Sequence, residues 1–135
     1  MKKETRAVLL GIPIGQPSLD SAIAEAQEAI EHRRKPIVFA TANTRAIVMT
    51  QSDPVFFQAM SDADQMVADG VGVKIMSHFV HGSVGPRIVG EEYFSALMDA
   101  LEQRGRGRVF FFGSSNDTLR KIENRFKQQY PSLTL

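Results

Sequence analysis

The 135-residue sequence contains no cysteine, and its sixteen Lys and Arg residues nearly balance fifteen Asp and Glu residues. The absence of cysteine excludes a thiol nucleophile, a disulfide framework and a cysteine-ligated zinc site. The formal net charge of +1 provides no overall field that would attract nucleic acid. No apolar run approaches the roughly 20 residues that cross a bilayer, and the stretch after residues 1–6 is too short for a signal sequence. We therefore expect a cytoplasmic protein, at most peripheral to a membrane.

Two short basic clusters, residues 32–35 and 104–108, concentrate positive charge. Each cluster lies between a predicted helix and the strand that follows it. Cations at this position offset the negative end of the helix dipole and keep the connecting loop hydrated. We prefer this interpretation to a nucleic-acid or lipid-headgroup site, and we expect no nucleic-acid partner.

Short apolar runs alternate with amphipathic segments along the sequence. The runs predict strands at residues 7–10, 36–40, 65–68 and 109–112. The amphipathic segments predict a helix after the cap residue Ser18, two short helices between residues 43 and 63 with a restart at Asp53-Pro54, a helix from Gly70, a helix that ends at Gly105, and a helix after the turn at residues 113–117. This order predicts an α/β, Rossmann-like fold: one domain over residues 1–135, with a mostly parallel sheet and helices on both faces.

The last two apolar segments carry further expectations. Residues 109–112 form an unbroken apolar run, which is typical of a strand covered on both faces, so we expect Phe110, Phe111 and Phe112 in the core, as we do Phe56 and Phe57. Residues 131–135 resemble the start of one more strand, with a short edge strand as the alternative. We therefore expect a truncated sheet whose free edge favours pairing with another chain, as in a homo-oligomer.

Polar residues follow the predicted strands at their carboxyl ends, where an open parallel sheet binds its ligands. Thr41 and Asn43 follow the second strand, and Asp69 and Gly70 follow the third. A carboxylate at a strand end can act as a general base on a substrate hydroxyl, which makes Asp69 the main catalytic candidate. Gly70 would let a ligand approach the backbone, and Thr41 and Asn43 could hydrogen-bond to it. Arg87, in a loop before a helix, could hold a diphosphate through two parallel hydrogen bonds.

Four of these residues, Thr41 among them, also have a purely structural interpretation. Asp69 and Asn43 could serve only as helix caps, because Asp and Asn are frequent at that position. A loop arginine such as Arg87 is most often a solvated surface charge. The residues alone leave both interpretations open.

Other types of site have little support in the sequence. Neither Gly70-Val71-Gly72 nor the turn at residues 113–116 has the spacing of a dinucleotide fingerprint or a P-loop, which disfavours a nicotinamide-dependent oxidoreductase. His78 and His81 lie three residues apart, but no third ligand accompanies them. No Ser-His-Asp arrangement is visible. We therefore expect no metal and no cofactor.

Several short motifs, taken in order, resemble those of the WecG/TagA/CpsF glycosyltransferase family. The matching segments run along almost the whole chain: residues 10–14, 41–43, 53–54, 63–64, 69–73, 87–90, 109–113 and 130–133. Each motif is weak alone, whereas their order and spacing together are specific. Glu92 stands where the family commonly has aspartate. The chain resembles only the amino-terminal half of such enzymes.

The resemblance implies an inverting glycosyltransferase of bacterial exopolysaccharide or cell-envelope biosynthesis. Such enzymes transfer N-acetylmannosamine, its uronic acid, glucose or glucuronic acid from a UDP-sugar donor to a polyprenyl-diphosphate-linked acceptor. The resemblance assigns the general base to Asp69, the pocket lining to Thr41 and Asn43, and the phosphate contact to Arg87. It implies metal independence and a cytoplasmic location, peripheral to the membrane. A truncated, non-catalytic α/β module that binds a nucleotide or another chain is the alternative.

Overall fold

The computed structural model describes residues 7–32, 35–80 and 87–135, which contain four strands and six helices. In chain order these are β1 (Ala7–Leu9), β2 (Ile12–Ile14), α1 (Leu19–Glu31), β3 (Phe39–Ala42), α2 (Thr44–Thr50), α3 (Pro54–Ser61), β4 (Gln65–Ala68), α4 (Val71–Val80), α5 (Gly90–Gln103) and α6 (Asn116–Gln129). The chain divides into two compact units, Met1–Tyr93 and Phe94–Leu135. The predicted α/β class is confirmed.

The strand predicted at residues 7–10 is the first half of an antiparallel hairpin. β1 pairs with β2, with Val8 opposite Pro13. Leu10 and Gly11 form the turn, and their φ angles of 48° and 87° suit the two-residue turns that reverse a strand. The expectation that this segment joins a parallel sheet is wrong. Pro13 lies within β2 although it lacks an N–H group, because a strand position that needs no donor tolerates proline.

β3 and β4 form the parallel pair that carries the candidate site. Their register places Phe39 opposite Gln65 and Ala42 opposite Ala68. β4 has the predicted bounds, whereas β3 lies later in the chain than predicted, so that Thr41 belongs to the strand itself. The described strands form two two-stranded sheets, one antiparallel and one parallel. The larger Rossmann-like sheet is therefore not confirmed.

Capping side chains mark where several helices begin. The hydroxyl of Ser18 accepts a hydrogen bond from the Ser21 N–H at 3.1 Å, and the carboxylate of Asp53 accepts one from the Phe56 N–H at 2.9 Å. Both caps agree with the sequence prediction, as does the break between α2 and α3. α5 begins at Gly90, ahead of its apolar stripe. In the described part of the chain, no helix is both long and apolar enough to cross a membrane.

The core of the first unit is built from the hairpin, the parallel pair and helices α2, α3 and α4. Its fully buried side chains include Ile12, Ile14, Ile47 and Val73. Ile47 and Val73 both project from the first turn of a helix that follows a parallel strand. The burial of these two side chains therefore determines where α2 and α4 begin. Both helices start at the same edge of the parallel pair.

Asp64 joins the segments that lead into the two parallel strands. Its Oδ2 accepts a hydrogen bond from the Val38 N–H at 3.0 Å, and its Oδ1 lies 3.5 Å from Lys35 Nζ. The Val38 N–H, and to a lesser extent the Lys35 cation, lower the pKa of Asp64. A carboxylate whose pKa is lower in the folded state stabilises the fold at neutral pH, and this contribution is lost as the pH falls through the folded pKa.

The second unit has a small core of its own. Its buried members are Met98, Leu101, Phe126, Tyr130 and Leu133. They come from the later part of α5, from α6 and from the segment after α6, and partly buried side chains, among them Phe111, pack against them.

The predicted strand at residues 109–112 is wrong, because in the described chain this region forms only a single parallel bridge, between Arg108 and Thr134. Phe110 and Phe112 are 84% and 94% exposed, so the expectation that they belong to the core is also wrong. An extended segment packed on one face buries alternate side chains only. The strand start predicted at residues 131–135 is likewise present only as this isolated bridge, at Thr134.

Candidate functional site

Three of the predicted site residues, Thr41, Asn43 and Asp69, lie at the carboxyl ends of β3 and β4. The Asp69 N–H donates a hydrogen bond to the Ala42 carbonyl oxygen at 2.9 Å, which closes the last pair of the parallel register, Ala42 with Ala68. Asn43 and Asp69 are the next residues after the two strands. Residues in register on neighbouring parallel strands lie roughly 5 Å apart.

Asn43 is the cap of α2. Its side chain accepts a hydrogen bond from the Ala46 N–H, with 2.8 Å between Oδ1 and N, and its extended backbone has φ −100° and ψ 168°. The structural interpretation of Asn43 is thus confirmed. The cap uses only Oδ1, so the two N–H groups of the exposed amide remain available to a ligand.

The carboxylate of Asp69 is in a different situation. Asp69 is half-buried at the end of β4. Among the described residues, no group donates a hydrogen bond to this carboxylate, so it does not cap the start of α4. A half-buried carboxylate without a structural partner is available to accept a proton from a bound hydroxyl group.

Gly70 leaves the space beside Asp69 open. Its φ of +89° lies in the region that favours glycine, and, apart from its chain neighbours, no atom of the described residues lies within 4 Å of the position that a Cβ would occupy. The backbone between β4 and α4 is therefore accessible to a ligand, and the open space comes from a backbone conformation that other residues adopt only with strain.

Replacing Gly70 with Ala is expected to lower the free energy of unfolding by about 1–2 kcal/mol, because an L side chain is strained at this positive φ. Chemical denaturation followed by circular dichroism measures the change. Gly90→Ala is the matched control: Gly90 is the first residue of α5, a Cβ there would meet the nearest atom, Thr41 Cγ2, at an ordinary 3.7 Å, and alanine favours helix. Equal effects of the two substitutions would contradict the assigned strain.

Arg87 lies beside the same end of β4. The N–H of the next residue, Ile88, donates to the Ala68 carbonyl oxygen at 3.4 Å, which holds this stretch of backbone alongside the strand. Ile88 is buried, whereas Arg87 is exposed. Its guanidinium group is therefore free to turn toward an anion at this edge. A role in phosphate binding stays a prediction.

Thr44 and Gly72 are part of the site region, and sequence reasoning missed their relationship. A Cβ on Gly72 would collide with the Oγ1 of Thr44. The first turns of α2 and α4 are therefore in direct contact at a position that has no room for a Cβ. The amino ends of these two helices, where backbone N–H groups lack partners within the helix, thus lie side by side. In the sequence, Gly72 was the only local indication of this contact. A glycine within a helix indicates that another part of the chain packs closely there, but it does not identify that part.

The first turn of α5 contains the position at which the sequence departs from its resemblance. Glu92 Oε2 accepts a hydrogen bond from the Val89 N–H at 3.4 Å. The side chain therefore acts as the carboxylate of a helix start, as expected for a substitute for aspartate.

Several predicted features cannot be placed in this structure. His78 lies on α4, but His81 is outside the described residues, as are Arg33 and Arg34 of the first basic cluster. Across residues 7–32, 35–80 and 87–135, no group of three His, Asp or Glu side chains is arranged to hold a metal ion.

Comparison with known proteins places these residues in a family context. Residues 7–135 match the sequence model of the Glycosyl transferase WecG/TagA/CpsF family. The chain is similar to proteins named N-acetylglucosaminyldiphosphoundecaprenol N-acetyl-beta-D-mannosaminyltransferase. It is 26% identical to the protein of Bacillus spizizenii over 87% of this chain and 45% of the relative, and 23% identical to that of Bacillus subtilis over 92% and 48%. It is 24% identical to the protein of Staphylococcus aureus over 73% of this chain and 38% of the relative. The chain thus spans less than half the length of these relatives.

Proposed function

Because this chain belongs to the Glycosyl transferase WecG/TagA/CpsF family, we propose that it contributes the catalytic crevice of an inverting glycosyltransferase of bacterial cell-envelope biosynthesis. The proposed donor is UDP-N-acetylmannosamine, and the proposed acceptor is a polyprenyl-diphosphate-linked N-acetylglucosamine at the cytoplasmic face of the membrane. The sugar and the acceptor are those in the names of the similar proteins. UDP as the carrier follows from the resemblance.

One observation carries the proposal. Asp69 directly follows the last residue pair of the parallel register, is half-buried, and accepts no hydrogen bond from the described part of the chain. A structural aspartate at the start of a helix would be occupied by backbone N–H groups. The open space at Gly70 gives a substrate room to reach the carboxylate.

The reaction then has a simple balance of bonds and protons. The acceptor hydroxyl attacks the anomeric carbon of the donor sugar from the face opposite UDP, while Asp69 takes the hydroxyl proton. A new carbon–oxygen bond forms, and the bond from the anomeric carbon to the diphosphate oxygen breaks. UDP leaves with the electron pair of that bond, so the configuration at the anomeric carbon is inverted.

The other residues of the edge have supporting roles in the proposal. Arg87 and the adjacent amino ends of α2 and α4 would stabilise the negative charge that develops on the departing diphosphate. Thr41 and the free N–H groups of Asn43 would orient the sugars. We further propose that the β3–β4 pair, with α2 and α4 behind it, is the central unit of a Rossmann-like sheet.

Transfer of labelled N-acetylmannosamine from UDP to N-acetylglucosamine-diphosphate-undecaprenol tests the proposal. The assay uses this chain and a chimaera that joins it to the carboxyl-terminal half of the Bacillus subtilis relative. We expect lipid-extractable labelled product from the chimaera. A donor panel with the uronic acid, glucose and glucuronic acid forms of the UDP-sugar then identifies the preferred sugar.

A non-catalytic binding module is the second candidate function. The exposed Phe110 and Phe112 and the single bridge of Arg108 favour it, because such a segment can pair with another chain. If the folded chimaera bound UDP in calorimetry but formed no product with any donor, the binding module would become the better proposal.

A further inference from the structure

Helix α4 carries a row of apolar side chains that the described residues of its own unit leave exposed. Val71, Ile75 and Phe79 are 63%, 53% and 83% exposed, and each lies about one helical turn beyond the last. Together with Lys74 and His78 they line one shallow groove on the surface of the helix. Single exposed apolar residues are common on protein surfaces, whereas a contiguous row marks an interaction site.

The charged side chain within this row is a cation. Helix α4 contains no Asp or Glu, and Lys74 lies within the apolar row. In the neighbouring α2 the single charged residue is Arg45, which is exposed. Exposed Val55 on α3 provides the contrast, since it lies between the capping Asp53 and Asp62. An apolar row with a lysine within it suits a surface that combines hydrocarbon with negative charge.

The position of α4 connects this face with the candidate site. The helix begins two residues after Asp69, and its ten residues span about 15 Å, so the whole row lies within a short distance of the carboxylate. A polyprenyl-linked acceptor keeps its hydrocarbon chain in the bilayer and its diphosphate among the headgroups. The catalytic crevice must therefore work at headgroup level.

We infer that the exposed face of α4, formed by Val71, Ile75 and Phe79 with Lys74, docks on the surface of an anionic lipid bilayer beside the candidate site. This inference rests on the proposed function for its biological purpose. Phe79 and Ile75 enter the boundary between headgroups and acyl chains, while Lys74 pairs with lipid phosphates.

Co-sedimentation of the chain with vesicles tests the docking face. The vesicles consist of phosphatidylcholine, with or without phosphatidylglycerol, and contain no lipid-linked acceptor. Phe79→Ser is expected to lower the partition coefficient about tenfold on anionic vesicles, because it removes a large apolar side chain from the lipid contact. Lys74→Gln is expected to lower it about fivefold on anionic vesicles only, and to weaken its dependence on salt.

Phe112→Ser is the matched control, because Phe112 is the same residue type, is 94% exposed and lies in the other unit. It should leave the partition coefficient unchanged, and circular dichroism should show that all variants fold. Equal losses for Phe79→Ser and Phe112→Ser, or no binding to anionic vesicles by the parent chain, would overturn the inference. So would a Phe79→Ser variant that converts a dimer into a monomer by light scattering while vesicle binding is unchanged.

The vesicle assay is independent of sugar transfer, so the two proposals can fail separately. Vesicle binding that depends on Phe79, in a chimaera that forms no product, supports the docking face and counts against the glycosyltransferase proposal. If the chimaera forms product but its vesicle binding does not depend on Phe79 or Lys74, the result supports the glycosyltransferase proposal and counts against the docking face.

Discussion

Replacing Asp69 with Asn is expected to lower kcat for sugar transfer by about 10²–10⁴-fold, the range that a general base contributes. Asparagine has nearly the same size and can hydrogen-bond to the acceptor, but it cannot take the proton from the attacking hydroxyl. The KM for the donor should change much less than kcat, since the proposed donor contacts come from other residues. Initial rates of product formation by the chimaera measure both constants.

Asp62→Asn is the control for this substitution. Asp62 ends α3 in the same stretch of chain, is exposed, and accepts a hydrogen bond from Gln58 Nε2 at 2.9 Å. It should retain the parental rate. Near-parental turnover by Asp69→Asn would falsify the assignment of the general base, whereas equal losses in both variants would indicate a general effect of removing a carboxylate from this region.

Replacing Ile47 with Ala is expected to lower the free energy of unfolding by about 2–5 kcal/mol, the usual cost of truncating a fully buried aliphatic side chain. Ile47 is 0% exposed and packs in the core of the first unit from the first turn of α2. The substitution leaves a cavity that the surrounding side chains can fill only in part. Urea denaturation followed by circular dichroism measures the loss.

Val48→Ala provides the comparison for this core residue. Val48 is the next residue of α2 and is 57% exposed, so its truncation should change the free energy of unfolding by no more than about 0.5 kcal/mol. If the two substitutions cost the same, α2 would not be anchored through Ile47. Because Ile47 and the capping Asn43 hold the same turn, UDP binding by the Ile47→Ala chimaera should weaken as well.

Sequence reasoning was most accurate where the determining interactions are local. β4 has the predicted bounds, and the Ser18 cap and the restart at Asp53-Pro54 occur where predicted. A cap or a first-turn proline acts within a few residues of itself, so its signal is complete in a short window.

It was least accurate where the environment of an apolar run had to be guessed. Residues 109–112 have the composition of a buried strand, yet Phe110 and Phe112 are exposed and the region forms a single bridge in the described chain. An apolar run indicates which side chains favour burial. Whether they are buried depends on whether segments that are distant in the sequence pack over them. The hairpin of β1 and β2 was missed for the related reason that a strand's partner is not encoded within the strand.

The candidate site shows the same division. The sequence by itself determined the chemistry: a carboxylate, an amide, a hydroxyl and a guanidinium group near strand ends, in an order that resembles one glycosyltransferase family. It could not decide whether Asn43 and Asp69 cap helices or meet a ligand, because both uses require the same residue types. The structure answers the capping question, since Asn43 caps α2 while Asp69 has no hydrogen-bond partner among the described residues; contact of either residue with a ligand stays a prediction.

Only the tertiary structure decided which of these groups share one edge. The parallel register ends with Ala42 opposite Ala68, directly before Asn43 and Asp69, and the contact of Gly72 with Thr44 brings the amino ends of α2 and α4 together. These residues are more than twenty positions apart in the chain. Their approach depends on burying Ile47 and Val73 in one core, and burial is a property of the assembled fold that no local stretch of sequence contains.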